Sequence, residues 1–417
     1  MTRRWPASFG EVVAANAAAG NLVVQPRMGF DQPAMMRAGL VATRLAAAAT
    51  VGTLTLDSYT RVGDHAHAEA ALAEGIALNG YPIVTHPTQD TRALLDGVAD
   101  AGFPVQVRHG SPDPRRIVRA LVAAGLDATE GGPVSYCLPY GRAPLRESVA
   151  NWRRSCELLV DGTPAGRVPH VESFGGCLLG QLCPPSLLVA VSLLEALFFT
   201  QHGIGSVSLS YSQQTDAGQD EEALAALRTL AGEHLPADVD RHIVLYTYMG
   251  VFPSAPDGAA DLLRASARLA ARAGAERLIV KTVAESQRIP TIAENVRALE
   301  LAAATAATAA TVERAESVVD TGVLAEARRL VDAVLGLHDD VGTALEKAFA
   351  LGLLDVPFCL HPDNAGRTRG VIAEDGTLRW ADVGAMPIAR PATRGRTVLT
   401  SARLLTDLQH VARLYER

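Results

Sequence analysis

Several features are scarce in this 417-residue chain, and each scarcity removes a class of protein. Cysteine is scarce: Cys137, Cys156, Cys177, Cys183 and Cys359 form no Cys-x-x-Cys pair and are odd in number. That suits a reducing cytoplasm better than a disulfide framework. Basic excess is missing, since 38 Lys and Arg stand against 45 Asp and Glu, for a net charge of −7. With a pI near 5.9, nucleic acid is not the expected partner, and Arg115, Arg116 and Arg119 read as the solvated face of one helix. No apolar run is long enough to cross a bilayer. The most apolar, Leu187 to Thr200, contains Glu195 and reads as a buried helix. Residues 1–20 carry two arginines, but Glu11 and Asn16 interrupt any apolar core, so no export signal is read. No P-loop or Gly-x-Gly-x-x-Gly follows a strand, which leaves no cradle for a nucleotide phosphate.

What is present is a globular composition, 48% hydrophobic and 20% charged, with short β-rich runs alternating with alanine- and leucine-rich helical runs. That alternation indicates βα units and a parallel sheet. The strand candidates are 22–27, 51–58, 81–86, 104–109, 168–174, 205–211, 242–249 and 277–282. Several are nearly continuous in Val, Ile and Leu, as strands covered on both faces should be. Eight of them predict an α/β fold, a (β/α)8 TIM-type barrel. The segment ATEGGPVSYCLPY (128–140) reads as an excursion at the barrel mouth. Residues 290–350 are helical in pattern, and VIAEDGTLRWADV reads as a hairpin. The expected division is a barrel over 1–290 and a C-terminal helical and hairpin accessory region over 291–417.

Polar residues at the C-terminal ends of barrel strands line active sites. Here those ends carry Arg27, then Thr55, Asp57 and Arg61, then Arg108 and His109, and further on Glu172, Phe174, Tyr211 and Lys281. Three arginines converging on one mouth suit a ligand with two carboxylates, because the planar guanidinium binds a carboxylate bidentately. Taken singly, each arginine could equally pair with a neighbour, Asp57 being the obvious partner for Arg61. Likewise Tyr136 and Tyr140 could be rim aromatics and Glu130 a turn residue. The cluster Asp64, His65, His67 and Glu69 makes a poor metal site, since His65 and His67, two residues apart, lie about 200° apart around a helix. No pattern marks Cys137 as a nucleophile, and a packed thiol is the expectation. Gly175–Gly176 fits either a tight βα turn or the close approach of a cofactor.

The motifs VQPRMGF, LDSYTR, LNGYP, VRHGSPD, EGGPVSYCLPY, ESFGG, CPPSLLVAVSLLEAL, YMGVFP, LIVKTVAES, IPT and DNAGR occur in order from Val24 to Arg367. Together they resemble the large, epsilon subunit of coenzyme B12-dependent glutamate mutase (methylaspartate mutase). The resemblance implies a (β/α)8 barrel that holds a dicarboxylate in an arginine claw, here Arg27, Arg61 and Arg108. It assigns Glu130 to the substrate ammonium and to proton movement, and puts His109, Tyr136 and Tyr140 in the substrate pocket. On the cofactor side it implies Thr55, Asn79 and Phe174, with Lys281, Glu285 and Ile289 near the adenosyl group. Two departures stand out: a short segment before the first strand, and SQQTDAGQD after Tyr211, where only Gln219 and Asp220 match.

The cobalamin signature Asp-x-His-x-x-Gly does not occur in the sequence. The family pattern supplies it on a separate small subunit, whose histidine ligates the cobalt of adenosylcobalamin and whose corrin caps the barrel. The implied reaction is the radical interconversion of L-glutamate and (2S,3S)-3-methylaspartate by a cytoplasmic complex of paired large and small subunits. A paralogous mutase acting on another acidic amino acid is the alternative.

Overall fold

A computed structural model describes residues 8–139, 141–178, 182–312, 320–390 and 400–416. Eight parallel strands form the wall: β1 (Val23–Pro26), β2 (Gly52–Thr55), β3 (Val105–Arg108), β4 (Ala128–Gly131), β5 (His170–Ser173), β6 (Ser206–Ser212), β7 (Asp240–Tyr246) and β8 (Arg277–Val280). Their order, β1-β8-β7-β6-β5-β4-β3-β2, runs around a barrel. It closes between β1 and β2 through the bridge Val24–Thr50 and a hydrogen bond from Val24 N to Ala49 O at 2.9 Å.

The barrel and its strand number are as the sequence predicts, but one strand is exchanged. Residues 81–86 are not a strand. Pro82 has no N–H to donate to a ladder, and the chain turns there, with the Thr85 and His86 amides donating to Pro82 O at 2.9 and 3.0 Å. The strand is supplied instead by Ala128–Gly131, within the segment expected to be an excursion; it pairs with β3 at Thr129 and with β5 along its whole length. Its sequence, ATEG, lacks an apolar run because Glu130 points into a polar barrel interior.

The outer helices are α1 (Phe9–Ala18), α2 (Pro33–Leu45), α3 (Ser58–Val62), α4 (His65–Ala73), α5 (Thr88–Leu95), α6 (Arg115–Ala123), α7 (Leu145–Gly162), α8 (Pro185–Gln201), α9 (Ala217–His234), α10 (Pro256–Arg272), α11 (Ile292–Val312), α12 (Val323–Leu335), α13 (Val341–Leu351), α14 (Ser401–Leu408) and α15 (His410–Tyr415). Helix α11 packs against α10 and α2. The apolar α8 is the buried helix expected, because α12 and α13 cover the side turned away from β5 and β6. A hairpin, β9 (Thr368–Ile372) and β10 (Leu378–Val383), follows as predicted and fastens to α8 through Trp380 Nε1 and Ser186 Oγ at 3.2 Å. Among the described residues no helix is long and apolar enough to cross a membrane.

The barrel interior is layered and unusually polar. At the bottom, α1 inserts Phe9, which stacks on His170 with centroids 4.8 Å apart, and His170 stacks on His242 at 5.2 Å. Above Phe9, at 4.9 Å from its ring, lies the fully buried Arg277 guanidinium. It is ion-paired to Glu172 and hydrogen-bonded to Gln25 and to Ser208 Oγ, the last at 2.8 Å. Gln25 in turn reaches Thr53 at 2.9 Å and Gln106 at 2.8 Å. Burying two charges is tolerated only when pairing and additional hydrogen bonds offset their lost hydration, as here, and removal of one partner strands the other. Arg277→Met should therefore destabilise the protein by about 3–5 kcal/mol, read as a lowered urea midpoint at an unchanged denaturant slope.

Candidate active site

The mouth is built on the layer above Glu172. Arg108 ends β3 and Glu130 lies on β4, so the barrel sets them side by side, with Arg108 Nε 2.6 Å from Glu130 Oε2. Both side chains are almost fully buried. Burial opposes the Arg108 charge, but the Glu130 carboxylate beside it more than offsets this, and the guanidinium stays protonated. The Tyr136 hydroxyl donates to the other Glu130 oxygen. From the end of β7, the Tyr246 hydroxyl lies 2.9 Å from Glu130 Oε2 and also bonds Glu172. Phe174 packs on both phenols, with centroids 5.0 Å from Tyr136 and 5.5 Å from Tyr246.

His109 is the next member. It stacks on Trp152 with centroids 5.7 Å apart, and its Nδ1 accepts the Ser111 amide at 3.0 Å. The proton of the neutral ring therefore sits on Nε2, which is buried and has no partner among the described residues. Burial, reinforced by Arg61 and Arg108, pushes the pKa of His109 down to about 3, so at neutral pH it offers an uncharged N–H donor.

Arg61 does not pair with Asp57. That carboxylate caps α3 by accepting the Tyr59 and Thr60 amides at 2.9 and 3.0 Å, and Arg61 Nε is a buried donor without a partner among the described residues. The side chain passes so close to Gly110 that a Cβ there would sit 2.9 Å from its Cδ, which gives the glycine of Arg-His-Gly a steric reason. Arg27 belongs to a second group at the β1–β8 side, where its Nη1 meets Glu285 Oε2 at 2.8 Å. Lys281 lies beside them, its Nζ 4.4 Å from the Phe252 ring centroid, and burial lowers its pKa to about 8. The Thr55 hydroxyl is likewise buried and unpartnered among the described residues.

Asn79 and Ile289 lie on the exposed rim, Asn79 Oδ1 accepting the Ser58 amide at 2.9 Å. Tyr140 lies outside the described residues. Asp64 caps α4 and bonds His67 Nδ1 at 2.7 Å, and the described residues contain no group of His, Cys, Asp and Glu arranged to hold a metal ion. Cys137 is a packed thiol, pushed up to about 12 by burial. In the first turn of α9, Gln219 is tied to Leu378 of the hairpin and Asp220 accepts the Tyr211 hydroxyl at 2.7 Å.

Residues without a role in the sequence reading matter here. Tyr246 and Arg277 lie in strands predicted on hydrophobicity alone; only their inward parity, shared with Val244 and Ile279, hints at the site. Glu195 of α8 is fully buried and accepts the Val134 amide (3.0 Å), the Ser135 amide (2.8 Å) and hydroxyl (2.9 Å) and the Ser173 hydroxyl (3.1 Å). It thereby clamps the loop that carries Tyr136 to the end of β5. Gly132 lies so close that a Cβ there would come 2.0 Å from the carboxyl carbon.

Fold and site together define a class: a (β/α)8-barrel enzyme whose mouth buries paired charges and unpartnered donors suited to a small, highly charged ligand. Comparison with known proteins narrows it. The family described as methylaspartate mutase E chain matches residues 6–401. The glutamate mutase epsilon subunit of Halobacterium salinarum is 33% identical over 352 residues, which are 80% of this chain and 71% of that protein. That of Haloarcula marismortui is 34% identical over 341 residues, 78% of this chain and 68% of that one. Among solved structures, pyruvate carboxylase from Rhizobium etli aligns over 84% of this chain and 36% of its own, with 12% identity and a TM-score of 0.35, a likeness that bears on neither fold nor function. The chain belongs to the methylaspartate mutase E chain family and is an isomerase of the mutase type.

Burial pushes the pKa of Glu195 up to about 7, against the pull of its hydrogen bonds. A carboxyl raised in the folded state stabilises it fully below the unfolded value, and that contribution is lost as pH rises through the folded value. Between pH 4.5 and 7 the wild type should lose stability relative to Glu195→Gln, on the order of 3 kcal/mol at about 1.4 kcal/mol per unit, measured by denaturant titration across that range.

Proposed function

We propose that this chain is the catalytic subunit of an adenosylcobalamin-dependent mutase that interconverts L-glutamate and (2S,3S)-3-methylaspartate. The observation that carries the reading is the buried Arg108–Glu130 pair. An α-amino acid brings one carboxylate and one ammonium, the two charges needed to enter that pair without leaving either protein charge alone. The carboxylate takes Arg108, with the His109 Nε2–H as a second donor, and the ammonium takes the place of the guanidinium on Glu130. Tyr136 keeps Glu130 in position during the exchange, and the family resemblance assigns Tyr140 to the same pocket. Arg27 and Arg61, each with an Nε that has no partner among the described residues, serve the second carboxylate.

The donor set also fits the cofactor. Lys281 and Glu285 are close enough for the carboxylate to raise the ammonium's pKa, and an ammonium beside a carboxylate suits the hydroxyls of a ribose. Thr55 offers a buried hydroxyl, Asn79 and Ile289 line the rim, and Phe174 forms the apolar floor beneath. When bound, the cofactor supplies a cobalt–carbon bond that breaks homolytically and so the radical that starts the reaction. The protein's own task is to hold both ends of the substrate in a cavity closed to water, so that the fragments recombine before they separate.

The reading assigns cobalt ligation to a partner, a small subunit bearing Asp-x-His-x-x-Gly, and has this chain pair with itself in the cytoplasm; five buried, free cysteines support a reducing compartment. Residues 1–290 carry the substrate site and 291–417 form the accessory layer. The test is to mix the chain, the small subunit, adenosylcobalamin and glutamate and assay methylaspartate. Activity is expected only with both proteins present, and Arg61→Ala or Arg108→Ala should cost about 3–5 kcal/mol of kcat/KM, as for other broken buried pairs. Normal turnover by either variant would refute the claw. Turnover of a different acidic amino acid, and not of glutamate, would assign the chain to the paralogous reading.

A further inference from the structure

The residue that the proposed exchange most needs, and that no motif marks, is Tyr246. A phenol has one proton to donate, yet its oxygen faces two carboxylates: it bonds Glu172 Oε1 and lies 2.9 Å from Glu130 Oε2. The remaining contacts of those carboxylates fix what that proton can do. Glu172 Oε2 accepts Arg277, together with Gln106 Nε2 at 3.3 Å and Ser208 Oγ at 3.4 Å. Glu130 Oε1 accepts Tyr136, and Oε2 accepts Arg108 Nε at 2.6 Å. Arg108 Nη2 also reaches the Tyr246 oxygen at 3.3 Å, and its guanidinium carbon lies 5.3 Å from the ring centroid. With Arg108 on Glu130, Oε2 already has a donor, and the phenolic proton belongs to Glu172.

We propose that Tyr246 is the positioning residue for Glu130: when a substrate carboxylate draws Arg108 away, the phenolic proton re-aims from Glu172 to Glu130 Oε2 and holds that carboxylate in place for the substrate ammonium. The move requires only rotation about the phenolic C–O bond, because the oxygen is already within hydrogen-bond distance of both acceptors. Glu172 keeps the donors on Oε2, so it does not become an unpaired buried charge. The phenol thus passes a hydrogen bond between two fixed carboxylates while no proton leaves its oxygen. The proposal rests on the reading that Arg108 and Glu130 receive the amino acid.

The test separates the amine from the carboxylates. The chain, assembled with its small subunit and hydroxocobalamin so that nothing turns over, is titrated calorimetrically with L-glutamate and with glutarate, which has both carboxylates and no amine. Tyr246→Phe, which keeps the ring packed on Phe174, should weaken glutamate binding about ten- to a hundredfold, the range for a hydrogen bond to a charged group. Glutarate binding should hold, because nothing in glutarate uses Glu130. Equal weakening of both acids, or of neither, overturns the proposal: the first shows a merely structural phenol, the second an idle one. A wild-type complex that binds neither acid overturns the functional reading and this proposal with it. Should the phenylalanine variant not fold, 3-fluorotyrosine at position 246 keeps the shape and makes the phenol a stronger donor. It should raise the glutamate-to-glutarate affinity ratio, and an unchanged ratio is equally fatal.

Discussion

A carboxylate and a guanidinium with no exposure to water stand at the centre of this barrel, and the rest of the mouth is arranged to keep them company. Glu172 and Arg277 could not remain charged among the branched aliphatic side chains that usually fill such a barrel. They are surrounded instead by Gln25, Gln106, Ser208 and Tyr246, each bonded to one or both of the two. Through Tyr246 the same network continues upward to Glu130 and Arg108, so two ion pairs meet carboxylate to carboxylate across one phenol between the middle of the barrel and its mouth. A ligand entering from above meets the upper pair, while the lower pair is held by hydrogen bonds to Gln25, Gln106 and Ser208. Rigid, preorganised charges of this kind orient a substrate without reorganising at the moment of reaction.

Much of this was legible in the sequence, and the exceptions share a cause. Arg108 and His109 are conspicuous as polar residues at the end of an apolar strand, whereas Glu130, in a segment that reads as an excursion, is marked only by the family resemblance. The exchange of 81–86 for 128–131 arose where hydrophobicity and strand structure part company. Tyr81, Ile83 and their neighbours are apolar because they are buried beneath a turn, whereas Thr129 and Glu130 are polar because this barrel's interior is polar. Periodicity reports what a side chain meets, and here the inside of the barrel resembles neither oil nor water. Tyr246 and Arg277 are inconspicuous for the same reason: within a strand that reads as hydrophobic, a single inward polar side chain carries no signal until the other strands are in place. Glu195 was visible as a charge in an apolar helix, but its partners in the Val134–Ser135 loop are distant in the sequence.

The two mouth loops that matter most are fastened from behind. Glu195 gathers the Tyr136 loop and the end of β5 onto one carboxylate, and α12 and α13 bury the helix that carries it. In this way the C-terminal region contributes to the site without entering it: it keeps α8 dry, and a dry α8 keeps the Glu195 hydrogen bonds strong. A barrel stripped of that cover would retain every residue of the mouth yet lose the geometry of Tyr136 and Phe174.

The closure of the wall has a consequence of its own. The other neighbouring strands pair directly, β3 and β4 at Val107–Thr129 alone, but β1 and β2 meet through the bridge Val24–Thr50 and hydrogen bonds such as Thr55 N to Met28 O at 3.0 Å. Such a seam is where a cylinder unzips at least cost, and local opening follows the path of fewest lost hydrogen bonds. Arg27 stands on one lip of the seam, and Thr55 and Arg61 stand on the other. The spacing between Arg27 and Arg61 is therefore set across this seam, so any ligand that spans both side chains also bridges the joint that closes the barrel.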